Sequence, residues 1–286
     1  MAKAPTVQDF FNKFSTDEAC LEHLMMLRFG NPLYCPKCGA EGQFAKLKKL
    51  PAYACPTCGH HIHPMVGTPF ERSHTPLQKW FYAMYLFTTT RHGVPAKELQ
   101  RQLGVTYKTA WRMGHELRKH MAKVDGDPPL GGHVEADETY IGGRRSGGKR
   151  GRGAPGKTIV FGMIERGGDV MTRIVPNVKR KTLERHILAN VKDGATISTD
   201  ELSSYAKIAR LGYEHGTVNH SADQWVNGIH HVNSVEGFWS QIKRSIRGTH
   251  VHVSRKHLSK YLGEFEFRWN LRHAPETMFA RLLMSF

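Results

Sequence analysis

The first residues in this 286-residue sequence that could do chemistry are acidic side chains set in strand-like runs. Val134-Glu135-Ala136-Asp137-Glu138-Thr139-Tyr140-Ile141 reads as a strand, and alternation places Glu135 and Asp137 on one face with Val134 and Ala136 on the other. A carboxylate inside such a run carries a burial cost unless it is paired or holds a metal ion. A second run, Thr196-Ile197-Ser198-Thr199, ends at Asp200 and Glu201, and α/β folds form their sites at strand ends of this kind. A third stretch, His231 to Arg244, contains Asn233, Glu236 and Lys243. As a helix it brings these three near one face, because spacings of three and seven residues approach whole turns. Singly, each acid has an ordinary explanation: Asp200 as the cap of a following helix, Glu236 as the partner of Lys243 or Arg244. Together they put an Asp on a first strand, an Asp at a later strand end and a Glu on a late helix. Hard oxygen donors of this kind suit Mg²⁺ or Mn²⁺. Two such ions about 4 Å apart activate a water or a 3′-hydroxyl and stabilise the leaving oxygen of an in-line displacement.

A second chemistry is written in the cysteines. Cys35-Pro36-Lys37-Cys38-Gly39 and Cys55-Pro56-Thr57-Cys58-Gly59 are matching knuckles separated by sixteen residues. Four thiolates at this spacing close a tetrahedron around Zn²⁺ and leave no open coordination position, so the predicted site is structural, a zinc ribbon. His60, His61 and His63 follow at once and are read as surface or DNA-facing. The fifth cysteine, Cys20, lies on an apolar helix face and reads as a small buried hydrophobe. Paired spacing with an odd total argues for metal binding in a reducing compartment rather than for disulfides.

The formal charge of +16, from 41 Lys and Arg against 25 Asp and Glu, calls for a polyanionic partner, and nucleic acid is the natural one. Two segments could meet it. Val94 to Met113 has the form of a helix-turn-helix: Pro95 suits a first turn, Leu99 and Leu103 share a face, Gly104 supplies the turn, and Thr106 caps a second helix. That second helix carries Tyr107, Lys108, Thr109 and Arg112 as the groove-reading set. Arg144 to Lys157 is glycine-rich, with six basic residues (among them Arg144, Arg145, Lys149, Arg150 and Arg152) and no acid, which suits a loop following a phosphate backbone.

The elements that must position these groups follow from periodicity. Thr6 to Leu27 reads as two short helices, with Ser15 and Thr16 as capping residues before Asp17 and Glu18. Pro69 to His120 is helical, and a break falls at Asp125 to Gly132. Strands are predicted at Val134–Ile141, Thr158–Glu165, Val170–Val175, Ala195–Thr199 and Glu214–Asn219. Helices are predicted at Lys181–Val191, Leu202–Leu211 and from Ser234 onward. Three strands followed by alternating helices and strands make an α/β domain with a mixed sheet. The expected organisation is a helical segment at 1–32, the ribbon at 33–66, the helix-turn-helix region at 67–124 and the catalytic domain at 133–286. No run of about 18 apolar residues marks a membrane span. No signal peptide is read at the N-terminus, so a cytoplasmic, DNA-associated protein is expected.

Several stretches together resemble the zinc-ribbon DDE transposases of bacterial insertion sequences, a group akin to the Merlin elements. They are Gly67-Thr-Pro-Phe70; Lys97-Glu-Leu99 with Thr109-Ala-Trp-Arg-Met113; Glu135-Ala-Asp-Glu-Thr-Tyr-Ile-Gly-Gly143; Thr199-Asp-Glu201; Asn233-Ser-Val-Glu-Gly-Phe-Trp-Ser240; Gly248-Thr-His-Val-His-Val-Ser254; and Tyr261 to Asn270. The resemblance spans nearly the whole chain. It implies an RNase H-like catalytic fold and carries the first two metal-binding acids onto Asp137 and Asp200. Glu236 takes the third place, with Asn233 kept as an alternative ligand. Lys243, and beside it Arg244, would contact the DNA end near the scissile phosphate. The implied reaction is metal-dependent cleavage at terminal inverted repeats in double-stranded DNA. The freed 3′-hydroxyl then joins target DNA without a covalent protein intermediate, in a homodimer or larger assembly. The rival expectations are a DNA-binding regulator with an inactive RNase H-like remnant, and a nuclease of the same fold.

Overall fold

Short helices with side-chain caps begin the chain. In the computed structural model, which describes residues 5–30, 33–42, 44–142 and 156–286, Thr6 caps α1 (Val7–Lys13) in a reciprocal capping box with Asp9. Thr16 caps α2 (Asp17–Phe29) through Ala19 N–H. Three two-residue strands follow, β1 (Ala45–Lys46), β2 (Tyr53–Ala54) and β3 (His61–Ile62), paired antiparallel in that order. Then come α3 (Leu77–Thr89), α4 (Ala96–Leu103) and α5 (Tyr107–Asp125). By contacts the chain forms two compact units, residues 1–120 with 273–286, and residues 121–272. Residues 273–286, expected from the sequence to belong with the catalytic domain, thus sit in the first unit.

Why the second unit is a sheet is legible in its strands, which are rich in Val, Ile, Thr and Phe. The strands are β4 (His133–Gly142), β5 (Lys157–Glu165), β6 (Val170–Val175), β7 (Thr196–Thr199) and β8 (Glu214–Thr217), in the spatial order β6-β5-β4-β7-β8. The first three form an antiparallel meander, and β4, β7 and β8 run parallel. This order and set of directions is the RNase H-like arrangement. Helix α6 (Arg180–Asn190) makes the crossover to β7; α7 (Asn233–Ser245) and α8 (Arg255–Asn270) follow β8. The sheet separates two apolar layers. Val134, Ala136, Phe161 and Met163 pack with Leu183, Ile187 and Tyr205 on one side. Ile141, Val160 and Ile164 pack with Phe238, Trp239, Ile242 and Phe265 on the other. The odd-numbered residues of β4 therefore face α7.

The outer edge strand β6 is closed by side chains from α8. Asn270 Oδ1 accepts from Val170 N–H (2.7 Å), Asn270 Nδ2 donates to Val170 O (3.1 Å), and Glu266 Oε1 accepts from Thr172 N–H (2.7 Å). These bonds occupy backbone groups that would otherwise offer a template to another strand. The segment predicted as one helix, Leu202–Leu211, instead forms two 3₁₀ turns, Ser203–Tyr205 and Ile208–Leu211. Asp200 takes Leu202 N–H, Ser204 Oγ bonds Val178 O, and Tyr205 turns fully into the core, so tertiary contacts replace the helical ladder. The chain ends in α9 (Met278–Met284) within the first unit.

Candidate functional site

Asp137 and Asp200 are set side by side by strand register. On the parallel pair, His133 aligns with Thr196 and Glu135 with Ser198; continuing by two residues puts Asp137 opposite Asp200. Asp137 Oδ2 accepts a bond from the Trp239 indole Nε1–H (3.0 Å). Burial, then the charges of Glu138 and Asp200, push the Asp137 carboxyl up to about 8, with Glu236 acting in the same direction. Asp200 is 7% exposed, and its Oδ1 accepts Leu202 N–H (3.0 Å). Glu138, on the opposite face of β4, accepts from Tyr205 Oη (3.0 Å). Burial and then the charges of Glu138, Asp137 and Asp200 hold that phenol well above its usual range.

Helix α7 supplies the remaining groups. Asn233 is its exposed first residue. Glu236 stands one turn on, exposed, with His220 Nε2 at 3.7 Å. Lys243 is half-buried, and burial lowers its pKa; Asp137 and Glu236 favour its charge, while Arg247 and Lys157 oppose it. Arg244 is exposed and bonds Ser240 Oγ at 3.5 Å. The structure thus brings Asp137, Asp200, Glu236 and Lys243 into one electrostatic neighbourhood. The donor set fits hard divalent cations: carboxylate oxygens, with one carboxyl raised first by burial and then by the charges of neighbouring acids.

Trp239, Tyr205 and the partners of Glu135 carry no signal in the periodicity of the sequence. The one local sign is Gly162, which lies directly across from Asp137 on β5. A Cβ there would lie 2.4 Å from Trp239, so the missing side chain makes room for the indole that reaches Asp137. Glu135 is fully buried, and its oxygens meet Arg166, Ser234 and Val235.

The four cysteines converge in the first unit. Cys35 and Cys58 Sγ atoms are 3.7 Å apart, Cys38 and Cys55 are 3.8 Å apart, and all four lie within 4.8 Å of one another. Zn–S bonds of about 2.3 Å at tetrahedral angles require sulfur separations of about 3.8 Å, so the cage fits Zn²⁺. The two knuckles repeat one geometry: Cys35 N–H bonds Ala40 O and Gly39 N–H bonds Cys35 O, while Cys55 N–H bonds His60 O and Gly59 N–H bonds Cys55 O. Gly39 and Gly59 both take φ of 70°, a conformation that favours glycine. Among the described residues this is the one set of three or more Cys, His, Asp or Glu ligand atoms converging so closely. His61 and His63 are exposed, and Cys20 is buried, its thiol pushed up to about 12 by burial.

The helical pair α4 and α5 is joined through Gly104, whose φ of 59° ends α4. Pro95 takes the capping position before α4 rather than its first turn. Thr106 Oγ1 accepts Thr109 N–H at the start of α5. Leu99, Leu103, Ala110 and Met113 are buried, while Tyr107, Lys108, Trp111 and Arg112 are exposed. Arg112 lies over the Trp80 ring (5.7 Å) and reaches Ser73 Oγ (3.4 Å). Arg144, Arg145, Lys149, Arg150 and Arg152 lie outside the described residues.

Comparison with known proteins accounts for both regions. Residues 15–61 match a transposase zinc-ribbon domain, and residues 129–270 match an ISXO2-like transposase domain. An uncharacterized protein in the transposable element ISH50 of Halobacterium salinarum (strain ATCC 700922 / JCM 11081 / NRC-1) is 28% identical over 281 residues, covering 92% of this chain and 94% of the relative. That host is an archaeon, so the likeness is not confined to bacterial elements. Among solved structures, a pre-cleavage Mos1 transpososome is similar at 12% identity and a TM-score of 0.30, over 72% of this chain and 78% of that one. A Mos1 paired-end complex with the left transposon end is similar at 12% and 0.29, over 71% and 77%. Superpositions this loose add nothing to a fold already given by strand order. The two family matches lie in chain order over the thiol cage and over the sheet that bears Asp137 and Asp200, and the chain belongs to the zinc-ribbon transposases of insertion sequences.

Proposed function

We propose that this chain is a DDE-type transposase that binds the inverted repeats of its element and then nicks and joins DNA strands at Asp137, Asp200 and Glu236. The observation that carries the reading is the parallel β4–β7 register, which extended by two residues sets Asp137 opposite Asp200, together with the burial and acidic neighbours that raise Asp137 to about 8. A carboxyl group so raised gives up its proton when a cation arrives, which couples metal binding to deprotonation. Two divalent ions held there would activate the attacking water or 3′-hydroxyl and stabilise the leaving oxygen.

The residues of the chain divide the remaining work. Asp137, Asp200 and Glu236 are the metal ligands, with Asn233 as the alternative to Glu236. The Trp239 indole fixes the Asp137 carboxylate through one oxygen, and Leu202 N–H does the same for Asp200. Lys243 stands on the same helix as Glu236 and offers positive charge to a phosphate beside the acids. In the first unit the zinc ribbon is a structural support, and α4 with α5 acts as a helix-turn-helix. Lys108 and Arg112 on the exposed head of α5 then meet the duplex. Transposition joins two ends, so the working form is a dimer or larger.

The test is nicking of labelled DNA bearing the element ends, with Mg²⁺ or EDTA, by the wild type and Asp200→Ala. Metal-dependent nicking that disappears in the variant, with end binding retained, is the expected result. Binding without nicking under Mg²⁺ and Mn²⁺ would overturn the reading in favour of a DNA-binding regulator.

A further inference from the structure

Glu135 sits two residues before Asp137 on β4, on the face that meets α7, and it is fully buried. A carboxylate in that position needs partners, and it has several. Arg166 Nε donates to Oε1 at 2.8 Å. Ser234 N–H donates to Oε2 at 2.7 Å, Val235 N–H to the same oxygen at 3.2 Å, and Ser234 Oγ to Oε1 at 3.0 Å. His231 Nδ1 lies 3.1 Å from Oε1. The two backbone donors belong to the first turn of α7, where N–H groups lack helical partners and the helix dipole is positive. Val232, at the cap position itself, contributes no side-chain bond, so a carboxylate from the sheet serves that helix end in its place.

The consequence is geometric. Asp137 follows Glu135 by two residues on a strand, and Glu236 follows Val235 by one on the helix. A single carboxylate therefore ties the backbone that carries one acid to the backbone that carries the other. Arg166 extends the tie: its guanidinium also donates to Ile229 O (2.6 Å) and His231 O (3.1 Å), which holds the segment leading into α7. We propose that Glu135 is a positioning residue that sets the separation of Asp137 and Glu236, so that divalent-metal affinity depends on a side chain that does not touch the metal. The inference rests on the acidic-site reading above.

The test measures Mn²⁺ binding to the zinc-loaded full chain by water-proton relaxation, beside thermal melting and end binding, for the wild type, Glu135→Gln, Ser234→Ala and Asp137→Asn. Glu135→Gln keeps the size of the side chain, but its amide N–H₂ cannot accept the α7 donors. Partners behind metal ligands typically carry roughly 10- to 100-fold in metal affinity. We expect a weakening of that order in Glu135→Gln, a smaller one in Ser234→Ala, and end binding equal to that of the wild type in both. Nicking should require correspondingly more Mg²⁺. A lower melting temperature with unchanged Mn²⁺ affinity in both variants would make Glu135 merely structural and overturn the proposal. If Asp137→Asn binds Mn²⁺ as the wild type does, the acidic-site reading itself falls, and the clamp falls with it as a metal-positioning device. Should Glu135→Gln melt below the working temperature, Ser234→Ala, which removes one bond of the same set, decides alone.

Discussion

Buried carboxyl groups in the second unit differ in what surrounds them, and their chemistry follows from that. Glu135 is met by a guanidinium and by the N–H groups of a helix start. Asp137 is met by one indole and by acids, and its carboxyl stands at about 8. At the β6 edge, burial raises Glu266 to about 7, and burial with the charges of Glu266 and Asp169 raises Asp125 to about 8. In the unfolded chain such groups titrate near 4. The folded state therefore holds protons that the unfolded chain has released, and stability must fall as pH rises through that window. Melting of the zinc-loaded protein without Mg²⁺ should accordingly drop steadily from pH 5 to pH 8. Glu266→Gln, which preserves an acceptor for Thr172, should remove its own share of that slope and the part of the Asp125 share that the Glu266 charge supports, and leave the share of Asp137. A slope identical to that of the wild type would show that Glu266 does not hold its proton in this range.

Elements place these groups through close approaches that only certain residues permit. Strand β5 passes beneath α7 at Gly162, where the Trp239 ring occupies the space of a side chain. Gly162→Ala forces that ring to move, and overpacking of this kind costs about 1–3 kcal/mol. Because the same ring bonds Asp137, the variant should lose nicking rate beyond what its stability loss explains, while end binding, which we propose for the first unit, stays as it was. Nicking kinetics and a denaturant titration on the same preparation decide this. Full nicking in a destabilised Gly162→Ala protein would separate Trp239 from the reaction.

At the scale of the whole molecule, charge dominates. The formal +16 repels itself in the free protein and is neutralised on a polyphosphate. Binding to element-end DNA should weaken linearly in log affinity against log salt. With 6–10 phosphate contacts the loss between 50 and 200 mM salt would be about 10³- to 10⁵-fold, measured by anisotropy on an end-bearing duplex. An affinity indifferent to salt would remove the phosphate backbone as the main partner. Among the described residues no helix is long and apolar enough to cross a membrane.

Local sequence determined what depends on local spacing. The thiol cage follows from two knuckles that each fold by their own backbone bonds, so the four ligands were legible as CxxC pairs. Strands β4, β5 and β6 and the starts of α1 and α2 were legible because alternation and capping act within a few residues. Asp137 and Asp200 could be picked out as acids at strand positions, but the step from acids to a site needed the β4–β7 register, which joins residues 63 apart. The same limit hid the helix break after Leu202, the turning of Glu138 toward Tyr205, and the indole of Trp239. Glu135 shows the limit most directly. By alternation it shares a face with Asp137, and nothing in its neighbours along the chain tells a ligand from a clamp. That distinction was made by tertiary structure, because the donors that meet its carboxylate come from about 30 and 100 residues away, and what a buried charge does is fixed by what is folded against it.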